Sequence, residues 1–314
     1  MDMKRAKLAL LCMQRHSWEQ GVAMQAFWEL GDEDTVIALC KEAAYRRLPD
    51  GRLAIMDDTN AVTDPCSVGE ALQWAARTTG DGELRAALDG LAAWALRNAP
   101  RNASGVVYHV MDAPQFWIDS MYMLPPFLAA IGEKDEAMRQ LTGYEAALQD
   151  PATSLMAHQW DDQAKRLVQA AHGGVGNGWA LAAYARLISL IPEERPRLTE
   201  SARRLIDALL PLLTEDGRFY NVVDDPRTFP EGNLSQILCY VLCRGMNEGW
   251  LSKRYGPTAD RLRQAALQRL DDRQIAQGVC GAPTFDKPGV APEAQAFLLM
   301  MENQWQRWRE RTSR

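Results

Sequence analysis

The segment Ala180-Leu181-Ala182-Ala183-Tyr184 decides the fold, because it is apolar on every side of a helix. A helix with no polar face has to be buried. The segment Glu83-Leu84-Arg85-Ala86-Ala87-Leu88 has the opposite pattern, with charged residues on one face and apolar residues on the other. A helix of this second kind lies on the outside of a core. The chain alternates between the two kinds of helix along most of its length.

This alternation predicts helix pairs that repeat about every 50 to 60 residues, which is typical of a repeat architecture. The last inner helix, over residues 292–309, has no helix after it, and residues 1–13 are expected to pack back against it. The other pairs, each an inner helix with its outer helix, are expected over 18–30 with 35–47, 66–78 with 83–98, 120–131 with 135–148, 178–190 with 196–213, and 233–250 with 258–270.

Six inner helices ringed by six outer helices predict an all-α fold, the (α/α)6 barrel. We expect a single catalytic domain of this kind over residues 1–314. An open solenoid of helix pairs is the alternative fold. The solenoid does not explain why a helix at each end of the chain lacks a partner, so the sequence favours the closed barrel.

Composition and charge exclude several classes of function. The chain has 314 residues and a net charge of −6, and it contains no basic stripe of the kind that binds nucleic acid. No apolar run approaches the roughly 20 residues that a membrane span requires. The six cysteines include no CxxC pair, so we expect reduced thiols in a cytoplasmic protein. A homo-oligomer could form through a surface made by Met300, Met301, Trp305 and Trp308.

The long connections all run from an outer helix to the next inner helix. They therefore lie at the end of the barrel where the inner helices begin, and the positive ends of the helix dipoles there suit an anionic ligand. Short strands are expected in two of these connections, at 106–109 and 218–222. All four histidines fall at the same end, and no two are spaced as a metal-ligand pair, so no metal or cofactor is predicted.

Asp119 stands in the stretch Phe116-Trp117-Ile118-Asp119-Ser120-Met121-Tyr122-Met123, which predicts the start of a buried helix. A buried carboxylate without partners is costly, so its presence needs a reason. One reason is a helix N-cap, which satisfies free backbone N–H groups. The other is a general acid that apolar surroundings keep protonated.

Asp64 begins the second inner helix as Asp119 begins the third, so both carboxylates are expected to point into the barrel mouth. Asp64 precedes Pro65, and a helix N-cap is again the simpler explanation. Two neighbouring carboxylates can also divide the work of catalysis, because a charged one favours a proton on the other. The aspartate doublets at 57–58, 161–162 and 224–225 are expected to face solvent.

Four tryptophans are candidate surfaces for stacking against a sugar ring, with core packing or barrel lining as the alternative for each: Trp18, Trp117, Trp160 and Trp179. The run Gly173-Gly174-Val175-Gly176-Asn177-Gly178-Trp179 opens the fourth inner helix. It is not a phosphate loop, because no Lys-Ser/Thr follows and no βαβ unit surrounds it. The run instead predicts a close approach of the backbone to a ligand.

Several motifs occur in the order seen in the unsaturated glucuronyl and rhamnogalacturonyl hydrolases, and the chain resembles these families, glycoside hydrolase families 88 and 105. The resemblance covers nearly the whole chain and implies an (α/α)6 barrel. The motifs are His16-Ser17-Trp18-Glu19-Gln20-Gly21-Val22, Asp64, Trp117-Ile118-Asp119-Ser120-Met121-Tyr122-Met123, His158-Gln159-Trp160-Asp161, and His172 through Gly178-Trp179.

The resemblance implies a specific reaction. Polysaccharide lyases leave a 4,5-unsaturated uronic acid at a non-reducing end, and these hydrolases remove that sugar by hydrating its enol-ether double bond. Asp119 matches the family's catalytic acid/base, and Asp64 matches its second aspartate. The expected substrate is an unsaturated uronyl oligosaccharide, and the rhamnogalacturonyl type is favoured. Its expected contacts are His16, Trp18, Trp117, Tyr122, His158, Trp160, His172, Asn177 and Trp179.

Two departures from the family pattern bear on the substrate. Val175 stands where many rhamnogalacturonyl members have an arginine, so another residue has to hold the uronate carboxylate. The fifth inner helix opens with Pro230-Glu231-Gly232-Asn233-Leu234-Ser235 instead of a Ser-Gly-Thr-type run. Two other functions remain open from the sequence: a sugar epimerase or isomerase that uses the loop histidines, and a carbohydrate-binding homologue without catalysis.

Overall fold

The computed structural model describes residues 1–56, 59–282 and 284–312, and the aspartate doublet at 57–58 therefore lies outside the described residues. The helices in the described part are α1 Met3–Met13, α2 Ser17–Glu29, α3 Glu33–Tyr45, α4 Gly69–Thr79, α5 Gly82–Ala93, α6 Ser120–Met123, α7 Pro125–Ala130, α8 Lys134–Leu148, α9 Gly174–Leu190, α10 Arg195–Leu209, α11 Asn233–Glu248, α12 Gly256–Leu267 and α13 Pro292–Thr312. The strands are β1 Gln115–Trp117, β2 Gln159–Asp161, β3 Arg166–Gln169, β4 Phe219–Tyr220 and β5 Pro230–Glu231.

The described residues form two compact units. The first unit comprises Gln14–Asp150 and Met156–Ala170, and the second comprises Met1–Met13, Pro151–Leu155 and Ala171–Arg314. In the first unit the helices α2, α4 and α7 contact one another in succession, and each also packs against the outer helix that follows it. Their shared core contains large buried side chains such as Phe27, Leu72 and Phe127.

The second unit repeats this arrangement around α9, α11 and α13. Helix α9 is buried on nearly every side, whereas α10 buries only one face against it. Phe297 of α13 lies at the centre, where its ring meets the edges of Trp179 and Tyr240 at centroid distances of 5.5 and 5.7 Å. Helix α1 packs against α13, and the Gln295 side chain donates a hydrogen bond to the Ala6 carbonyl. The expected return of residues 1–13 to the last helix is therefore present.

The third inner helix differs from the sequence prediction because it is interrupted. It is divided into α6 and α7 at Leu124. The break occurs because Pro125 and Pro126 have no backbone N–H groups to donate to the carbonyls of the preceding turn. A short 3₁₀ turn, Asp64–Val68, likewise precedes α4. Both interruptions lie where an inner helix begins, close to the two aspartates that the sequence singled out.

The strands also differ from the sequence prediction. Strand β4 confirms the strand expected at 218–222, whereas the stretch at 106–109 forms only a bridge between Val107 and Arg101. Strands β1, β2 and β3 form an antiparallel sheet, in which Phe116 lies opposite Trp160. Phe116 and Trp117 thus belong to a strand and not to a helix, because pairing with a distant segment outweighs the local helical spacing.

The predicted contact surface near the C-terminus is wrong for three of its four residues. Met300 and Met301 have no exposed surface, because α13 is an inner helix packed against α11 and α12. Trp308 is buried as well, and only Trp305 remains partly exposed. No helix among the described residues combines the length and the apolar character that crossing a bilayer requires.

Close packing between α9 and α11 depends on Gly178. A Cβ atom added there would lie 2.5 Å from Cδ1 of Ile237. We expect Gly178→Ala to lower the free energy of unfolding by about 1–3 kcal/mol, the usual cost of overpacking a core. Chemical denaturation of the purified variant measures this loss.

Gly82→Ala is the matched control, because Gly82 also lies in a helix but an added Cβ would meet nothing within 4 Å. Alanine should leave stability unchanged or raise it slightly there. Equal effects of the two substitutions would contradict the packing explanation.

Candidate active site

Asp119 lies at the junction between β1 and α6, in the first unit. It occupies the N-cap position of α6, but its side chain makes no capping hydrogen bond. Its Oδ2 atom is buried and has no hydrogen-bond partner among the described residues. Helix capping therefore does not account for this carboxylate, and a buried, unsatisfied oxygen of this kind calls for a functional explanation.

Asp64 is the first residue of the 3₁₀ turn before α4, and it is 6% exposed. The residue before it, Thr63, places its hydroxyl oxygen 3.2 Å from that of Ser120, the residue after Asp119. Asp64 and Asp119 therefore leave the backbone beside one shared contact. The prediction that both carboxylates point into the barrel mouth stays a prediction.

His109 completes this cluster, and the sequence did not single it out among the four histidines. Its Nδ1 atom lies 2.7 Å from the Thr63 hydroxyl and 3.0 Å from the Ser120 hydroxyl. Its Nε2 atom lies 3.7 Å from Oδ1 of Asp64. The ring stacks on Trp117 at a centroid distance of 4.5 Å. The sequence could have indicated His109 through its position, because it lies ten residues before Asp119 in the connection that leads to α6.

The start of α2 lies beside the same cluster. The Ser67 hydroxyl contacts both the Asp64 carbonyl and the Ser17 carbonyl, at 2.6 and 3.2 Å. Next to Ser17, the rings of His16 and Trp18 stack almost in parallel with their centroids 4.3 Å apart. The two predicted substrate contacts thus form one flat aromatic pair, which is partly exposed.

In and beside the sheet lie three more predicted contacts whose rings are partly exposed: Trp117, His158 and Trp160. His158 lies just before β2, and its ring is tilted against Trp117 at a centroid distance of 5.8 Å. The indole N–H of Trp117 donates to Oε1 of Gln115. Trp160 lies within β2.

Three predicted substrate contacts are buried. Tyr122 in the first unit is 1% exposed, and Asn177 and Trp179 in the second unit are 0% and 3% exposed. The Asn177 side chain donates to the Gly173 carbonyl, which stabilises the first turn of α9. Trp179 packs on Phe297, which agrees with the core alternative for this tryptophan.

His172, in the second unit, lies just before α9 and pairs with an aspartate of a loop doublet. Its Nδ1 atom is 2.7 Å from Oδ2 of Asp224. Asp224 is partly exposed, as expected, but it also orients this histidine, which the sequence did not indicate. Among the described residues, no three His, Cys, Asp or Glu side chains are grouped as a bound metal ion would need.

Comparison with known proteins decides the family. The family model described as Glycosyl Hydrolase Family 88 matches residues 2–289. The chain belongs to glycosyl hydrolase family 88. The unsaturated rhamnogalacturonyl hydrolase YesR of Bacillus subtilis (strain 168) is similar to this family 88 chain, with 28% identity over 257 residues that cover 76% of this chain and 72% of YesR.

Solved structures show the fold of this family 88 member. A family 105 glycoside hydrolase from C. acetobutylicum ATCC 824 has a TM-score of 0.84 at 19% identity, over 97% of this chain and 99% of that chain. A possible family 105 member from Salmonella enterica subsp. enterica serovar Paratyphi A str. ATCC 9150 has a TM-score of 0.85 at 17% identity, over 98% of this chain and 93% of that chain. The predicted (α/α)6 barrel is therefore confirmed.

The family match also confirms the predicted class of enzyme. This family 88 member is a glycoside hydrolase, and its reaction class is the hydrolytic release of an unsaturated uronic acid from an oligosaccharide. The sequence left open an epimerase and a carbohydrate-binding homologue without catalysis. Family membership favours the hydrolase over both.

Glu19 gives the start of α2 a pH-dependent stability. Its Oε2 atom accepts hydrogen bonds from the backbone N–H groups of Arg15 and His16, and burial raises the pKa of its carboxyl above the ordinary value of 4.5. Since the folded chain holds this proton more tightly, the contribution of Glu19 to stability is fully present below pH 4.5 and is lost as pH rises through the folded pKa.

Glu19→Gln keeps an acceptor oxygen for the two N–H groups but removes the titration. We expect the variant to gain stability relative to the wild type as pH rises from about 4 to 7. Denaturant unfolding at several pH values measures the difference. Glu83→Gln, an exposed glutamate in the first turn of α5, is the control. A difference that is constant over this range would contradict the assignment.

Proposed function

We propose that this enzyme removes a 4,5-unsaturated uronic acid from the non-reducing end of lyase-generated oligosaccharides, with Asp119 as the acid/base and Asp64 as its electrostatic partner. The observation that carries the assignment is the Oδ2 atom of Asp119, which is buried and without a hydrogen-bond partner in the described structure. An oxygen that stabilises nothing in the folded chain is free to give and take a proton at a substrate atom.

The proposed reaction is a hydration. Asp119 in its protonated form transfers its proton to C4 of the unsaturated sugar, so a C4–H bond forms while positive charge develops at C5 and the ring oxygen. Water then adds at C5 and gives a proton back to the Asp119 carboxylate. The resulting hemiketal opens and releases the rest of the oligosaccharide. One residue thus serves as acid and then as base.

Asp64 supports this cycle through its charge. Its carboxylate stabilises the positive charge that develops at C5. This division of labour differs from ordinary glycosidases, in which two carboxylates flank a bond that is displaced directly. The contact between Thr63 and Ser120 supports it, because these residues are adjacent in sequence to the two aspartates.

The aromatic pairs of the first unit are the proposed sugar-binding surface. His16 with Trp18, and Trp117 with His158, present partly exposed rings. Flat rings suit the apolar faces of a sugar, and imidazole N–H groups suit its carboxylate. Since Val175 replaces an arginine found in many rhamnogalacturonyl hydrolases, we propose that histidines take over part of its role.

We further propose that the substrate is an unsaturated rhamnogalacturonyl oligosaccharide, as the name of the similar protein YesR states for that relative. The proposed compartment is the cytoplasm, which is supported by six cysteines that are all free thiols.

Asp119→Asn should reduce turnover by a factor of about 10² to 10⁴, which is the usual contribution of a general acid or base. The amide cannot donate a carboxylic proton to C4. Loss of the ultraviolet absorbance of the unsaturated uronate, measured on lyase-digested pectin, reports the rate. Asp89→Asn on the outer helix α5 is the control and should keep the wild-type rate. Full activity of Asp119→Asn would exclude the assigned role.

A panel of unsaturated disaccharides from different lyases tests the substrate proposal. We expect the highest kcat/KM with the product of a rhamnogalacturonan lyase and a lower value with products of glycosaminoglycan lyases. The same absorbance assay compares them at equal concentrations. A clear preference for the glycosaminoglycan products would overturn the rhamnogalacturonyl assignment while leaving the reaction itself in place.

A further inference from the structure

Three buried polar groups of the first unit form a closed triangle. Nδ1 of His109 lies 2.7 Å from the Thr63 hydroxyl and 3.0 Å from the Ser120 hydroxyl, which are themselves 3.2 Å apart. Thr63 and Ser120 have no exposed surface, and His109 is 4% exposed. Because the three groups are buried, the hydrogens of the triangle are shared among them and their immediate neighbours.

The phenol of Tyr144 donates its only proton to the Val107 carbonyl at 2.9 Å, so it has no proton left for the triangle. The Thr63 and Ser120 hydroxyls can each donate to Nδ1 of His109 if that atom is unprotonated. If Nδ1 carries a proton of its own, one of the hydroxyls has to accept it.

Two observations decide between these arrangements. The contact between Thr63 and Nδ1 is the shortest of the triangle, and a hydroxyl donor gives shorter hydrogen bonds than a ring N–H donor. In addition, Nε2 of His109 faces Oδ1 of Asp64 at 3.7 Å. An N–H group facing a carboxylate is attracted to it, whereas a bare nitrogen lone pair is repelled. Both observations place the proton of neutral His109 on Nε2.

We propose that Thr63 and Ser120 are positioning residues that hold His109 as the Nε2–H tautomer, with this N–H directed at the Asp64 carboxylate. Stacking on Trp117 fixes the plane of the ring, and backbone hydrogen bonds from His109 to Gln115 and from Val62 to His109 fix its main chain. The N–H dipole is attracted to the Asp64 carboxylate. This inference rests on the proposed function, in which a charged Asp64 supports the acid Asp119.

The tautomer is measurable without turnover. The chain has four histidines, so a long-range nitrogen–proton spectrum of protein with nitrogen-15-labelled histidine contains four ring patterns. His109→Gln identifies the His109 pattern by its loss. We expect that pattern to show an unprotonated Nδ1 and a protonated Nε2 in the wild type. In Thr63→Val we expect a shift towards the Nδ1-protonated form, because the hydroxyl that donates to Nδ1 is gone.

Kinetics separate this role from a structural one. Thr63→Val preserves the shape of the side chain and should lower kcat by about 10- to 100-fold, the range seen when the outer partner of a functional histidine is removed, with little change in KM. Thr63→Ser restores the hydroxyl and should recover most of the rate. Thr79→Val, which removes a hydroxyl bonded to the Ala75 carbonyl in α4, is the control and should change neither measurement.

A wild-type spectrum with the proton on Nδ1 would overturn the proposal, and so would a Thr63→Val enzyme with unchanged spectrum and kcat. A loss of rate that Thr63→Ser fails to restore would also count against it. Failure of the proposed function gives a different pattern, because Asp119→Asn would then keep its activity while the spectrum of His109 still reports the tautomer.

Discussion

The contact between the Thr63 and Ser120 hydroxyls is the interaction on which the candidate site depends. Thr63 precedes the turn that starts the second inner helix, and Ser120 begins the third. Each hydroxyl is adjacent in sequence to an aspartate, so this contact places the backbones of Asp64 and Asp119 in neighbouring helix starts. His109 lies in the long connection between α5 and β1. Its ring contacts both hydroxyls and so links that connection to the two helix starts.

The helical framework could be predicted from sequence because its signal is local. Helices such as α9 and α11 are apolar nearly all round, and the periodicity of each inner and outer helix is visible within its own residues. The sheet β1–β3 could not be predicted in the same way, since β1 acquires its structure by pairing with residues more than forty positions away. The stretch around Phe116 has helical spacing, and only the partner strand makes it extended.

Only part of the candidate site could likewise be predicted from the sequence. Asp64 and Asp119 were identified because they stand at equivalent places in consecutive repeats, and repeats convert sequence positions into spatial ones. His109 and Asp224 lie in irregular connections, whose geometry no period describes, so their partners emerged only from the structure. Trp179 illustrates the reverse case. A tryptophan beside a glycine run suggests an open surface, but in the structure Gly178 serves close helix packing and the Trp179 ring lies in the core.

Other acidic residues of the chain show what a structural carboxylate does at a helix start. Asp81 accepts hydrogen bonds from the backbone N–H groups of Glu83 and Leu84, at 2.8 and 3.3 Å. The fully buried Glu231 accepts from those of Asn233, Leu234 and Cys280. Both use their oxygens to satisfy backbone donors, which is the ordinary reason for an acidic residue at this place.

Asp119 stands at the same kind of position and does not cap its helix. Leaving a buried polar atom unsatisfied costs about 1–3 kcal/mol, which a capping or apolar side chain would avoid. Acidic side chains do cap other helices of this chain, so a carboxylate at a helix start can satisfy backbone N–H groups when capping is its role. The folding of α6 therefore does not account for the cost at Asp119, whereas the acid/base role proposed for this residue would.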